Sequence, residues 1–146
     1  MSSPQISSVL GYQVAQASIA TRGLFERCVG EPLRLRPIEY TMLCLIHGSS
    51  GITSAQIARS LAMSPPNMVT RVVLLEERGF VVRRACQSDR RAHTLHATPE
   101  GSHISGEATR RLLEGELTLF DNLTNAERLL LGELLSKMAS RRHGDS

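Results

Sequence analysis

Two adjacent arginines, Arg90 and Arg91, follow Asp89 in the stretch QSDRRA, at the only obvious hairpin turn of a chain whose pattern is otherwise helical. A solvated turn needs polar residues, but it does not need two planar guanidinium groups, each able to bind a phosphate or carboxylate through paired hydrogen bonds. A hairpin tip is thin enough to enter a DNA minor groove about 6 Å wide, where the negative potential favours arginine. Because Asp89 can hold one guanidinium in place, the stretch predicts a minor-groove contact.

A second set of polar residues lies on the helix predicted from Ser64 to Arg78. With about 100° between successive residues, Met68, Val72 and Leu75 share the face that must turn to the core. The other side of its first two turns carries polar or outward residues, which are Ser64, Pro66, Asn67, Thr70 and Arg71. Asn pairs with adenine, Arg with guanine or phosphate, and Thr with base edges or a thymine methyl. Such a polar face is equally typical of an ordinary helix exposed to solvent. The arginines of the hairpin are therefore the feature that favours DNA binding.

Helix signals indicate how these residues are positioned. A stripe at intervals of four and three predicts a first helix from Val9 to Val29, with Gly30 near its C-cap. Pro37 begins a second helix that runs to about His47. Thr53, Ser54 and Gln56 belong to a capping box that begins a third helix, with Ile57, Ala58 and Leu61 inward, and Ser64 caps the fourth. These signals predict two short helices joined by a tight turn.

The second half of the chain predicts a hairpin and two more helices. The β-branched start of FVVRRACQSDRRAHTLHAT indicates a two-stranded hairpin after Gly79. Thr98 and Pro99 begin a long helix that extends to about Asp121. A Thr124-x-x-Glu127 capping box begins the last one. The fold class is therefore mainly α with a small β-hairpin wing (α+β), a winged helix-turn-helix flanked by long helices.

The flanking helices carry apolar stripes that one small module cannot bury. The dimer interface candidates lie on the first and last helices and are Leu10, Val14, Ala17, Leu131, Leu135 and Met138. A homodimer would cover these stripes, and a twofold axis would place two recognition helices on half-sites about 34 Å apart. We therefore predict one unit over 1–146, with a DNA-binding module at 37–97 and helical dimerisation regions at 8–30 and 98–141.

Composition limits the possible partners. The chain has 146 residues, a net charge of +3, no Trp and only 3% aromatic residues, so stacking on single-stranded nucleic acid is not expected and any contact should be to duplex. The sequence shows neither a signal peptide nor a run of about 20 apolar residues, so we expect a cytoplasmic protein that does not bind membranes. Cys28, Cys44 and Cys86 lack metal-site or disulfide spacing and predict free thiols, with Cys44 in the core.

Four stretches of the sequence carry a family resemblance: LRPIEYTML, GITSAQIARSLAMSPPNMVTR, LEERGFVVRR and SDRRAHTLHATPEG. On these, the chain resembles the MarR family of winged-helix transcriptional regulators. The D-x-R wing followed by a strand and T-x-E-G is the most specific part. The resemblance implies a homodimer on a pseudo-palindromic operator, most often as a repressor, with Asp89 and Arg91 at the wing positions, Arg90 on a phosphate and Ser64 to Arg71 at the recognition positions.

The resemblance also implies an effector, because many members are released from DNA by a small aromatic or phenolic molecule bound between the dimer helices and the winged module. The candidates to line such a crevice here are Arg22, Met42 and His47. Arg22 can pair with a carboxylate, although an arginine on a long helix is also typical of a solvated position.

Two departures from the family pattern are visible. Arg36 stands where the family commonly has a threonine cap, which weakens that helix start. Val73 and Leu74 stand where it commonly has a charged pair, so this turn is suited to another protein element or to thymine methyls instead of phosphates.

Other functions stay open at this point. Cys86, His93 and His96 suggest metal sensing, but His93 and His96 lie three apart and face opposite sides of a strand, so we predict no metal and no cofactor. Peroxide-sensing members of the family suggest redox sensing through Cys28. Their reactive cysteine, however, lies near the beginning of the first helix, whereas Cys28 lies at its end. No catalytic motif is present, so we expect no enzyme. A winged helix that binds protein instead of DNA is the more serious rival, supported by Val73 and Leu74.

Overall fold

The computed structural model describes residues 4–86, 88 and 93–143. The helices are α1 (Pro4–Ser7), α2 (Leu10–Phe25), α3 (Glu31–Leu33), α4 (Pro37–Gly48), α5 (Ser54–Leu61), α6 (Pro65–Glu77), α7 (Pro99–Leu119) and α8 (Asn125–Ser140). A π-helical turn, Glu26–Gly30, joins α2 to α3, and a 3-10 turn, Arg141–His143, follows α8. The strands are β1 (Ile52–Thr53), β2 (Val81–Ala85) and β3 (His93–Ala97).

The small antiparallel sheet has the order β1-β3-β2. The predicted hairpin is confirmed as β2 and β3, with Val81 opposite Ala97 and Ala85 opposite His93. The sequence did not predict β1, which pairs Ile52 with Leu95 and is only two residues long. A strand this short carries no alternating pattern by which it could be recognised.

The core lies mainly within the winged module and extends to the end of α2 and to α7 through Phe25 and Ala108. Its fully enclosed side chains come from α4, α5, α6, β3 and the π-helical turn and include Val29, Met42, Leu43, Ile46, Ile57, Met68, Val72, Leu75 and Leu95. The prediction that Met68, Val72 and Leu75 form the core side of α6 is confirmed. The fold class of mainly helical chain with a hairpin wing is confirmed as well.

The end of the first helix was predicted wrongly. Gly30 keeps right-handed helical angles, and the left-handed residue that ends the helical run is Arg34, with φ 53°. Gly30 serves a different purpose, because a Cβ there would lie 2.4 Å from Oε2 of Glu26. The π-helical turn brings that carboxylate against the backbone, so the small residue permits packing within the helix and does not end it.

Most predicted caps are confirmed. Thr53 and Gln56 form the capping box of α5, with Nα of Gln56 3.2 Å from Oγ1 of Thr53, and Thr124 and Glu127 form that of α8. Ser64 occupies the N-cap position of α6, but its side chain does not accept the expected hydrogen bond from a backbone amide. Pro65 and Pro66 have no amide hydrogen, so among the first three residues of α6 only Asn67 could donate to the Ser64 hydroxyl.

Candidate nucleic-acid interface

The turn between α5 and α6 fixes the recognition helix. Ala62 adopts a left-handed conformation with φ 52°, and the amide of Met63 donates to the carbonyl of Ala58 at 2.9 Å. The two helices share one core, which contains Ile57 and Ala58 of α5 and Met68 of α6. The opposite side of α6 therefore faces solvent. This is the geometry of a helix-turn-helix.

The outward side of α6 carries both polar and apolar groups. Pro66, Asn67 and Thr70 are exposed as predicted, whereas Arg71 is half-buried on the flank. Val73 is half-buried rather than fully outward, while Leu74 is 40% and Val69 49% exposed. The sequence reading overlooked Val69, although its place one residue after the core residue Met68 put it outside the core stripe.

The hydroxyl of Thr70 already has a hydrogen-bond partner. Its Oγ1 donates to the carbonyl of Pro66, at 3.2 Å, one turn earlier in α6. A hydroxyl has one hydrogen to donate and two lone pairs. The group that Thr70 presents outward is therefore an acceptor and a methyl.

The described part of the wing adds a basic edge. On the side facing the core, Arg83 pairs with Glu76 of α6, with Nε 2.7 Å from Oε1, which ties the wing to the recognition helix. On the other side, Arg84 is exposed next to Thr94, its neighbour across the sheet. Arg84 was not among the predicted site residues, although the doubled arginine at 83 and 84 signals it as clearly as the one at 90 and 91. Asp89, Arg90 and Arg91 lie outside the described residues.

Arg78 connects the end of the recognition helix to the rest of the chain. Its guanidinium donates to the carbonyls of Arg34 and Leu33, at 2.6 and 3.4 Å. It lies 3.6 Å from the buried carboxylate of Glu39, whose other oxygen accepts the amide of Arg36 at the start of α4. Arg78 also covers the ring of Phe80, 4.9 Å from its centroid. The C-terminal end of α6 is thus held to the loop before α4 and to the wing.

All six predicted dimer interface candidates line one groove. It lies between α2 and α8, encloses about 680 Å³ and is lined by Leu10, Gln13, Val14, Ala17, Ser18, Thr21, Leu131, Leu134, Leu135, Lys137 and Met138. Across Asn125–Ser140, all of which the structure describes, no residue is buried in the single chain. An amphipathic helix without a buried side chain lacks the packing that normally stabilises it, which leaves this face to be covered by another surface.

The three effector candidates have separate surroundings. Met42 is fully enclosed in the core and offers no surface to a crevice, so its assignment was wrong for this conformation. His47 lies 3.0 Å from Oγ of Ser102, where α4 meets α7, and exposed Arg22 donates to the carbonyl of Ser18 within α2. A polar contact that was not predicted joins the same two helices, α4 and α7, through Tyr40 Oη and Thr109 Oγ1 at 2.7 Å. Burial raises the pKa of Tyr40.

The cysteines and histidines are placed differently from one another. Cys28, Cys44 and Cys86 are half-buried and form no disulfide, and Sγ of Cys86 lies 3.1 Å from Oγ of Ser88. Cys44 is less enclosed than the apolar run around it predicted. His96 hydrogen-bonds to Oγ of Ser50 and Oγ1 of Thr94, at 3.1 and 2.9 Å. Within the described residues, no three His, Cys, Asp or Glu side chains are grouped to hold a metal ion. No helix over 4–86 and 93–143 is both long and apolar enough to cross a membrane.

Comparison with known proteins shows which proteins this arrangement resembles. Residues 35–92 match the model of the MarR family. A protein of Thauera aromatica, described as a candidate transcriptional regulatory protein for the hcr operon, is 28% identical over 129 residues, which are 88% of this chain and 78% of that one.

Solved structures agree with that match. The transcriptional repressor CouR bound to a 23-mer DNA duplex superposes with a TM-score of 0.86 at 29% identity, covering 95% of this chain and 98% of that one. CouR from Rhodococcus jostii RHA1 bound to p-coumaroyl-CoA superposes with a TM-score of 0.81 at 24% identity over 99% of each chain. Over residues 35–92 the chain is thus similar to the MarR family, and its fold is similar to that of the winged helix-turn-helix repressor CouR.

Proposed function

We propose that this protein is a transcriptional regulator, most simply a repressor, which binds a pseudo-palindromic operator as a homodimer. The single observation that carries the proposal is that the N-terminal half of α6 is exposed within a helix-turn-helix. The repressor CouR, which has a similar fold, was solved bound to a DNA duplex. Residues 37–97 form the DNA-binding module, and 8–30 and 98–141 form the dimerisation regions. Such a regulator acts in the cytoplasm and needs neither catalysis nor a cofactor.

Each site residue has a defined role in this proposal. Ser64, Pro66, Asn67, Thr70 and Arg71 enter the major groove, whereas Asp89 orients Arg91 in the minor groove and Arg90 contacts phosphate. Thr53, Ser54 and Gln56 support the start of α5 beside the DNA. Exposed Arg84 adds a phosphate contact along the wing. Of these contacts, only those in the grooves distinguish one sequence from another.

The decisive experiment is fluorescence-anisotropy titration of the protein with its own upstream intergenic DNA and with a scrambled duplex, at several salt concentrations. We expect tight binding to the first duplex and a steep fall of affinity with salt, since each phosphate contact releases a counterion. Equal weak binding to both would remove the regulator function. A tight complex with a protein partner that salt does not weaken would instead favour the protein-interaction module.

The wing is tested by single arginine variants in the same assay. Arg91→Ala is expected to weaken operator binding by about 1–3 kcal/mol with the fold retained, because it removes a minor-groove contact. Arg90→Ala should mainly reduce the dependence of affinity on salt, because it removes a phosphate contact. Unchanged affinity for Arg91→Ala would show that the wing tip does not enter the groove.

We further propose that a small aromatic or phenolic molecule releases the regulator from DNA. The support is the similar fold of CouR, which was solved with p-coumaroyl-CoA, and the polar contacts between α4 and α7, in which Tyr40 hydrogen-bonds to Thr109 and His47 to Ser102. Addition of p-coumaroyl-CoA to the protein–DNA complex tests this, with free coenzyme A as the control. If p-coumaroyl-CoA and free coenzyme A released the protein at the same concentration, the coenzyme A group would be the part that is recognised. If neither released it, p-coumaroyl-CoA would be excluded as the effector. Arg22→Ala and His47→Ala should raise the concentration needed.

A further inference from the structure

The outer face of the recognition helix carries a continuous strip of apolar surface. Pro66, Val69, Thr70 and Val73 follow the spacing i, i+3, i+4 and i+7, which places them on one side of α6. Pro66, Val69 and Thr70 are exposed, and Val73 is half-buried. The core side of the same helix is already filled by Met68, Val72 and Leu75, so most of this strip is left facing solvent.

The strip is poor in hydrogen-bond donors. Pro66 has no amide hydrogen, the two valines have apolar side chains, and the hydroxyl hydrogen of Thr70 is donated to the carbonyl of Pro66. Guanine presents two acceptors in the major groove, and reading them requires a donor such as arginine or lysine. The strip therefore cannot read guanine, and it presents a ring, the branched valine side chains and the Thr70 methyl.

The charges around the strip also exclude a phosphate-binding role. Glu77 continues the same face one turn after Val73 and is exposed, while Glu76 is paired with Arg83. The nearest cation on the helix, Arg71, is half-buried on the flank. A carboxylate is repelled by the DNA backbone, so the C-terminal end of α6 must stay outside the groove and the strip must act through its first two to three turns.

One group in the major groove suits such a surface, the C5-methyl of thymine. We propose that Pro66, Val69, Thr70 and Val73 determine operator specificity by packing against thymine methyls in each half-site. This inference rests on the proposed function, because it requires α6 to enter the major groove. Asn67 is exposed beside the strip, where its side chain can hydrogen-bond to an adjacent adenine.

Deoxyuridine tests the proposal, since it removes the methyl and keeps base pairing. The operator is first selected from a random duplex library with the full-length protein, and each thymine is then replaced by deoxyuridine in turn, together with its symmetry-related thymine in the other half-site. Burial of one methyl corresponds to about a threefold to fivefold change in affinity, and the twofold operator doubles the effect in free energy. We expect losses of this size at a few adjacent thymines, and none at thymines outside the half-sites.

Two variants of Thr70 separate its methyl from its hydroxyl. Thr70→Val keeps a methyl at the outer position and should retain the preference for thymine over uracil, whereas Thr70→Ser removes the methyl and should lose that preference at one position. Val73→Ala should lose it at a neighbouring position. A variant that loses the preference should bind the two duplexes equally, so the readout does not depend on its overall stability.

The possible failures are distinguishable. Tight and selective binding that is insensitive to every deoxyuridine would overturn the thymine proposal and leave the regulator function standing. Loss of the preference for Thr70→Val, with the preference retained for Thr70→Ser, would assign the contact to the hydroxyl and likewise overturn it. Selection that enriches no sequence would contradict the proposed function itself.

Discussion

Gly101 is the residue whose identity the structure explains most directly. It lies in the first turn of α7, and a Cβ built on it would lie 2.0 Å from the carbonyl oxygen of Phe80. That oxygen accepts the amide of Thr98, whose side chain in turn caps α7 by accepting the amide of Gly101 at 3.0 Å. The glycine of the T-x-E-G stretch therefore allows the wing and the long helix to approach closely.

Gly101→Ala should destabilise the protein by about 1–3 kcal/mol, because the contacted atom is backbone and cannot move without displacing the start of β2 or α7. Denaturant unfolding at a fixed protein concentration measures the loss. Gly106→Ala is the matched control on the same helix, since a Cβ there meets nothing within 4 Å. We expect it to stabilise α7 by up to about 1 kcal/mol, the difference in helix propensity. Equal effects of the two changes would show that the approach at Phe80 is not tight.

At the scale of elements, Arg78 decides how α6 is held. Arg78→Met keeps the aliphatic stem but removes the donors to Leu33 and Arg34 and leaves the carboxylate of Glu39 without its cation. We expect a loss of about 1–3 kcal/mol in unfolding free energy, because a buried charged group loses its partner. Operator affinity should fall too, since the end of α6 is no longer tied to the loop before α4.

Glu39→Gln is the matched control for Arg78→Met. Its amide oxygen still accepts the amide of Arg36, so the start of α4 is kept while the ion pair is removed. It should cost less than Arg78→Met, because the two carbonyl contacts of Arg78 persist. If Glu39→Gln cost as much, the ion pair and not the tether to the loop would be the important interaction.

The elements that were predicted correctly have causes within a few residues of sequence. The capping boxes at Thr53 and Thr124, and the helix starts at Pro37 and Pro99, depend on local hydrogen bonds and fixed backbone angles. Where the prediction was wrong or incomplete, the cause is distant in sequence. The pairing of β1 with β3 joins Ile52 to Leu95, a tertiary contact that leaves no local pattern.

The candidate site divides in the same way. The core side of α6 followed from periodicity, because Met68, Val72 and Leu75 recur at helical spacing. The enclosure of Met42 did not, since a position on an apolar helix gives no measure of how completely its neighbours cover it. The contacts of Arg78 with Leu33 and Arg34 join residues more than 40 positions apart, which no motif of the chain records.

At the scale of the whole molecule, α2 and α8 leave a large apolar surface exposed to solvent in the single chain. Leu131, Leu135 and Met138 are each more than 40% exposed, and they face Leu10, Val14 and Ala17 across an open groove. Burying this surface in a second copy would stabilise the dimer in proportion to the apolar area removed from water. The proposed homodimer is then the form in which α8 becomes a stable element.

Leu135→Gln should therefore weaken the dimer, because it places a polar group with no expected partner in the apolar groove. Sedimentation equilibrium measures the dissociation constant, which we expect to rise at least tenfold. Leu129→Gln is the control, since Leu129 is 77% exposed and lies on the opposite side of α8 from Leu131 and Leu135. Because only a dimer engages two half-sites at once, Leu135→Gln should also reduce binding to the full operator much more than binding to a single half-site. A variant that remained dimeric at nanomolar concentration would show that the groove between α2 and α8 is not the main contact between the two copies.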